Sequence, residues 1–268
     1  GLRIPMMRLA KANALDEEVL RLFTTNSRTP DNMRGDLMAQ IAACAVGVER
    51  LQCLSSEWGA ARVGEGMDAL LDYADRMTRR EISSIPEGRY SFTDYLDDDG
   101  SGPGAAPVPI SVTLTVKGST LHFDFSGTGG QVTTSLNNVP SSTMSAVYYV
   151  VRTLTGESAP NNDGCYRAVT AHIPPGTILN PRFPAPVASR GASLRRVVDA
   201  LLGAMALAIP ERMTAANCGQ SSIIPVGTIN EHGQRIVATI GGPWMGGSGA
   251  RATKDGIDVT DHDASNAY

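Results

Sequence analysis

Histidine, cysteine and aromatic residues are scarce in this sequence. Four His and four Cys are spread over 268 residues, and aromatics make up 5%. No two cysteines stand in CxxC spacing, which excludes a patterned zinc site or disulfide frame. Cys44, Cys53, Cys165 and Cys218 read as reduced thiols, with the cytoplasm as the expected compartment. An excess of either charge is missing too: 23 Lys and Arg against 27 Asp and Glu leave a formal charge of -4, where a nucleic-acid or anionic-membrane binder needs a basic face. No window is read as approaching the ~20 apolar residues of a bilayer span. The expected partners are small molecules and proteins, with no nucleic acid and no membrane among them. The chain opens at Gly1 without an initiator Met and stops at Tyr268 after the polar run Thr260-Asp261-His262-Asp263; a piece of a longer polypeptide is expected.

A hydrophobic share of 42%, with 28 Gly and 16 Pro, is enough for a core interrupted by many turns. After an extended lead-in with Pro5, residues Asp16 to Phe23 have first-turn acids and helical spacing. Thr29-Pro30 then reads as a cap and first helical position. Met33, Leu37, Ile41, Cys44, Val48 and Leu51 recur every three or four residues, a strong amphipathic helix signal. Beyond Gly59, Val63, Met67, Leu70, Leu71, Ala74 and Met77 make a second helix, and the two are expected to form a hairpin that ends at Pro86-Glu87-Gly88. From Arg89 the period changes to two. Val108, Ile110, Val112, Leu114 and Val116 alternate with polar residues, and Leu121, Phe123 and Phe125 do so again after a turn at Lys117-Gly118-Ser119-Thr120, which is a β-meander. Met144 to Leu154 and Val197 to Leu207 have helical spacing, and two further strands flank His232-Gly233. The fold class is α+β, an N-terminal helical hairpin followed by antiparallel and mixed β-sheet with packed helices. The expected division is 1–86, lead-in and hairpin, and 87–268, a mixed region with the meander and Gly-rich loops.

Polar and special-backbone residues are densest from Asn161 to Leu202, which is either a site or a seam between substructures. Asn161-Asn162-Asp163-Gly164-Cys165 is read as opening a strand. Asp163-Gly164 is placed to orient a ligand or a facing loop. Cys165 lacks a neighbouring His to activate it and fits a small buried residue. Arg195-Arg196, at a helix start, suits clamping a carboxylate or phosphate, or bridging to neighbouring acids. Asp97-Asp98-Asp99-Gly100-Ser101-Gly102 suggests a calcium loop, but with Gly102 as the sixth residue Val108 falls where the bidentate Glu belongs, so a solvated turn is expected. Ser126-Gly127-Thr128-Gly129-Gly130-Gln131 is a weak anion loop without the Lys-Ser/Thr end of a P-loop. The glycines from Gly241 to Gly249 suit close approach to backbone. Asp258, Asp261, His262 and Asp263 are the one acid-and-His cluster, with Asp258 and His262 weak metal candidates because ligands separated by one or no residue rarely all reach one ion. His122, His172 and His232 read as ordinary surface or turn residues.

The order of motifs resembles the hydantoinase B / oxoprolinase family, which includes the alpha subunits of acetone and acetophenone carboxylases. The segments that carry it are Gly1-Leu2-Arg3-Ile4-Pro5, residues 34–43 from Arg34-Gly35-Asp36-Leu37, Asp124-Phe125-Ser126-Gly127-Thr128, Asn161 to Cys165, Leu179-Asn180-Pro181-Arg182-Phe183-Pro184, Arg196-Val197-Val198-Asp199-Ala200-Leu201 and Asp255-Gly256-Ile257-Asp258. Two places depart from the family's pattern: Arg190 to Arg195, and the sequence after Asp258. The resemblance implies a hydantoinase A-type partner that uses ATP-Mg to activate a carbonyl, and a B-type subunit that completes the reaction. It also implies a divalent metal, zinc or manganese, held by His and Asp motifs that precede Gly1, and another segment of the same B-type polypeptide as partner. Asp163, Arg195 and Arg196 are then the candidate catalytic contacts, and Asn162, Cys165, Gly246 and Gly247 the candidate substrate contacts. Three functions follow: opening of a cyclic amide, ATP-dependent carboxylation of a ketone, or a non-catalytic assembly module.

Overall fold

The computed structural model describes residues 4–12, 14–156, 159–217, 223–233, 235–241 and 247–258, the side chains of 223 and 239–241 excepted. Two compact units divide the chain, Gly1–Ala69 and Leu70–Tyr268.

In the first unit, β1 (Ala10–Lys11) and β2 (Ala14–Leu15) form a short antiparallel pair. Asp16 caps α1 (Glu17–Thr25), its Oδ1 accepting from the amides of Glu18 and Val19 at 3.0 and 3.2 Å. This satisfies amides that the first turn leaves without intrahelical partners. α2 (Pro30–Trp58) has Pro at its first position and runs 29 residues, about 43 Å. Val19, Leu20 and Leu37 are buried where α1 packs on α2, and further along α2 the stripe is open, with Val48 55% and Leu51 47% exposed. By length and composition α2 is the one helix among the described residues able to cross a membrane, with 6% of its apolar window buried, which corrects the expectation that no window approached that composition. The physical source is alanine: Ala39, Ala42, Ala43 and Ala45 raise the apolar content without adding to the periodic stripe. Gly59, at φ 84°, interrupts the helix.

α3 (Ala60–Ile82) carries the chain from the first unit into the second. Both expected helices are present. Val48, Leu51 and Trp58 on α2 and Met67 and Leu70 on α3 are exposed.

The second unit holds the core. β3 (Gly88–Leu96), β4 (Val108–Lys117) and β5 (Thr120–Asp124) are consecutive antiparallel neighbours, and β6 (Val169–His172) pairs parallel with β5. The parallel pair needs a crossover, and α4 (Pro140–Leu154) lies within it. The strict alternation of β4 is matched by its burial, with every second residue from Val108 to Val116 inward. That face, with Leu121 and Phe123, meets Ala146, Val147, Val150 and Val151 of α4 and Val197, Leu201 and Met205 of α5 (Arg190–Ala208). The result is a two-layer sandwich of sheet and helices. The other face is polar and open, with hydroxyl pairs Ser91–Thr113 at 2.9 Å and Thr93–Ser111 at 2.8 Å, and His122 Nδ1 2.8 Å from Thr170 Oγ1. His122 and His172 sit on this surface as ordinary strand residues. Asp124 lies below the usual carboxylate range, chiefly through the hydrogen bond from the Ser126 side chain. β7 (Ile223–Ile229) and β8 (Arg235–Gly241) make a separate antiparallel hairpin about the His232-Gly233 turn.

The contrast between units is measurable by urea denaturation. Leu114→Ala empties a fully buried position of β4 and is expected to cost about 2–5 kcal/mol, whereas Leu51→Ala on exposed α2 is expected to stay within about 0.5 kcal/mol.

Candidate functional site

Asn161 to Arg167 forms a 3-10 turn, Asp163–Tyr166, and not the strand opening expected. The reason is local: Asn162 Oδ1 accepts from the Gly164 amide at 3.0 Å, an Asx turn that competes with any strand ladder. The turn is fastened to α3. Asn162 Nδ2 donates to the Leu70 carbonyl at 3.3 Å, and Arg167 pairs with Asp72 at 2.6 Å. Gly164 approaches so closely that a Cβ there would lie 2.0 Å from the Leu71 carbonyl oxygen. Cys165 is buried, its Sγ donating to the Pro160 carbonyl at 3.1 Å; this placement leaves no access for a substrate at the thiol. Tyr166 stacks on Tyr148 of α4 with centroids 4.1 Å apart, and burial pushes its hydroxyl above its ordinary pKa. Asp163 alone of this group is an exposed acid, at the first position of the turn.

Arg196 joins a different set of contacts. It bonds Asp94 on β3 at 2.8 Å and also Asp199 one turn along α5, with side-chain exposures of 18% for Arg196, 24% for Asp94 and 1% for Asp199. A carboxylate as buried as Asp199 needs a charged partner, so Arg196 braces helix to sheet. Arg195, its neighbour, is half-buried on α5.

The start of α5 borders a polar cleft of about 400 Å3, lined by Asp97, Asp98, Gly100, Thr134, Ser135 and Ser189 among others. Ser135 and Ser189 hydroxyls stand 2.7 Å apart, the Ser189 amide donates to the Ser135 carbonyl at 2.9 Å, and Thr134 Oγ1 donates to the Asp99 carbonyl. Asp98 and Asp99 accept from the amides of Gly100 and Ser101 at 2.7 and 2.9 Å. The Ser101 side chain, then its amide, holds Asp99 below the usual carboxylate range. Fully buried Asn137 organises the wall behind it: its Nδ2 donates to the carbonyls of Val132, Thr134 and Pro186, and its Oδ1 accepts from the Val132 amide at 2.9 Å. Hydroxyls that donate or accept, beside two carboxylates that accept, suit the N–H and polar edge of a small molecule. The cleft was not legible as such; Asp97 to Gly102 reads in sequence as a solvated turn, and Asn137-Asn138 carries no motif.

The other sequence candidates resolve locally. The amides of Ser126, Thr128, Gly129 and Gln131 donate to Asp124 Oδ1 and to the carbonyls of Phe125, Pro109 and Gly176, so these protein acceptors occupy donors that the anion-loop reading assigned to a ligand. The Gly129 glycine is a close-packing residue, since a Cβ would lie 2.9 Å from Val108 Cγ1. Gly247 packs near the Ile257 carbonyl, and Asp258 is exposed. Cys218, Gly246, Asp261, His262 and Asp263 lie outside the described residues. Among the described residues no group of three His, Cys, Asp or Glu is arranged to hold a metal ion.

The fold has known counterparts. The family model for hydantoinase B/oxoprolinase matches residues 1–268, and the chain belongs to that family. It is 30% identical to the B subunit of the putative D-/L-hydantoinase of Pseudomonas sp. (strain NS671), over 97% of this chain and 45% of that protein. It is 32% identical to the beta subunit of caprolactamase from Pseudomonas jessenii, over 96% of this chain and 44% of that protein. The crystal structure of ATP-dependent caprolactamase from Pseudomonas jessenii superposes with a TM-score of 0.86 at 30% identity, covering 98% of this chain and 45% of that one. A nucleotide-free acetone carboxylase shares the fold at 17% identity, with a TM-score of 0.81 over 97% of this chain and 38% of that one. The chain thus spans less than half the length of these relatives.

Three substitutions separate seam and brace from site. Gly164→Ala is expected to destabilise by about 2–3 kcal/mol or more, because backbone faces backbone at the clash, while Asp163→Ala, on an exposed side chain, should stay within about 0.5 kcal/mol. Arg196→Ala, which takes an ion-pair partner from the buried Asp199 carboxylate and from Asp94, is expected to cost about 3 kcal/mol in chemical denaturation; an unchanged midpoint would return Arg196 to a purely functional role.

Proposed function

We propose that this chain is part of the B-type subunit of an ATP-dependent cyclic amidohydrolase. The observation that carries the reading is its identity of 30% and 32%, over nearly its whole length, to the B subunit of a hydantoinase and the beta subunit of a caprolactamase. The ketone-carboxylase alternative rests on a likeness of fold at 17% identity and is less well supported.

The reaction then divides between subunits. An A-type partner holds ATP-Mg and passes the γ-phosphoryl group to the amide carbonyl oxygen, releasing ADP. Water adds to the activated carbon, the C–N bond breaks as nitrogen takes a proton, and an acyl phosphate remains. A second water attacks the acyl carbon and releases phosphate, so one ring and one ATP consume two waters. A zinc or manganese ion, where the reaction uses one, is held by residues outside this chain. This chain supplies a wall of the composite site: the Ser135, Ser189 and Asp98 cleft takes the ring's N–H and polar edge, with Asp163, Arg195 and Gly247 as further contacts. A cytoplasmic setting is part of the proposal, from a sequence whose four cysteines show no disulfide spacing.

The test is the assembled enzyme supplied with hydantoin, 5-oxoproline or caprolactam. ATP-dependent ring opening with one ADP per ring is expected, and no turnover by the 268-residue chain alone. Ser189→Ala or Asp98→Asn should raise KM about 10-fold, the effect of one lost hydrogen bond. Carbon from labelled bicarbonate in the product would overturn the hydrolase reading in favour of carboxylation.

A further inference from the structure

Within the first unit, α2 presents an ordered seam that the described residues of that unit leave largely uncovered. Leu37, Ile41, Cys44, Val48, Leu51, Ser55 and Trp58 follow one another at alternating steps of four and three residues, the spacing of a coiled-coil seam. Leu37 is buried, Ile41 half-buried, and the side chains from Cys44 through Leu51 to Trp58 are open apart from partial cover at Ser55. A groove of about 860 Å3 lies over the middle of the seam and one flank, where Ile41, Cys44 and Val48 meet Leu9 and Ala10 and where Glu49 stands at the outer edge. The flanking positions tell what kind of surface it meets. Met38, Ala45 and Gln52 on one side and Gln40, Gly47 and Leu54 on the other carry no charge. A two-helix coil standing in water uses charges there; small and apolar flanks belong to a seam covered on both sides, as in an interface resembling a core cut in half. Glu49 and Arg50, adjacent in the same helix, weigh against hydrocarbon as the cover.

We propose that the seam from Leu37 to Trp58 is the docking surface for a helix of the B-type polypeptide that lies outside these 268 residues. The occupant follows from length: the chain spans 45% of the hydantoinase B-type polypeptide and 45% of the caprolactamase chain that it matches. More than half of such a polypeptide therefore remains to cover an apolar face of this size. The inference rests on the B-type assignment and not on which reaction that polypeptide completes.

Two native thiols report on it. Cys44 lies in the seam and Cys53 points away from it around the helix, and both are exposed in this chain. In the isolated 268-residue chain, maleimide is expected to label both at similar rates. In the assembly isolated from native cells, Cys44 should react at least about 10-fold more slowly while Cys53 is unchanged. Equal rates in the assembly, or equal protection of both, would overturn the seam. The occupant is identified by placing the photo-crosslinker p-benzoylphenylalanine at Val48 and sequencing the captured peptide. A B-type segment beyond this chain is the expected product. Capture of α2 from a second copy, of an A-type partner or of lipid would overturn the assignment. Because neither readout needs turnover, an assembly that crosslinks as expected yet opens no cyclic amide would sink the proposed reaction and leave the docking surface standing.

Discussion

Burial of one face of β4 is the constraint on which the second unit depends. Five inward residues from Val108 to Val116, with Leu121 and Phe123 beside them, form a continuous apolar surface that must be removed from water. α4 and α5 are long enough and apolar enough on one side to do it, and the crossover between β5 and β6 delivers α4 to that face. Apolar burial is not directional, however, and does not fix where α5 sits along the sheet. The Arg196 link from Asp94 to buried Asp199 does. It sets the height of the α5 N-terminus, and so places Ser189 against Ser135 and the acidic loop at one end of the core.

That arrangement separates two roles that the sequence places side by side. The stretch from Asn161 to Arg167 holds structure: Asn162, Gly164 and Arg167 all engage α3, and Cys165 is enclosed. Polar contacts open to a small molecule lie instead around the cleft, where Asn137 satisfies four backbone partners and so leaves hydroxyls and carboxylates at its surface in fixed positions. A wall built this way binds and orients. The ATP-dependent activation belongs to another subunit in the proposed reaction, which agrees with a chain that is less than half of its relatives' length.

What was legible in the sequence was whatever obeys a short period. The alternation in β4 and β5, the 3.6-residue stripes of α2, α4 and α5, and the Pro30 start of α2 follow from local geometry, as does the polar placement of His122. The contacts that define the cleft and the seam were not, because they join residues far apart: Ser135 meets Ser189 across 54 positions and Asn162 meets Leu70 across 92. No periodicity encodes such pairs. The Asx turn at Asn162 was open to a sequence reading, since Asn-Asn-Asp-Gly is rich in turn formers, and the apolar residues that follow drew it toward a strand. Alanine-rich α2 misled in the opposite sense, its stripe being clear while its total apolar content was not.

The central claim, that the B-type subunit completes opening of a phosphorylated cyclic amide, is tested most directly by oxygen tracing. A lactam labelled with 18O in its carbonyl is turned over by the assembled enzyme in unlabelled water, and the inorganic phosphate is analysed by mass spectrometry. Phosphorylation of the carbonyl oxygen, followed by attack of water on the acyl carbon, carries one 18O into each phosphate released. Phosphate without label, with all of the 18O retained in the new carboxylate, would contradict the account.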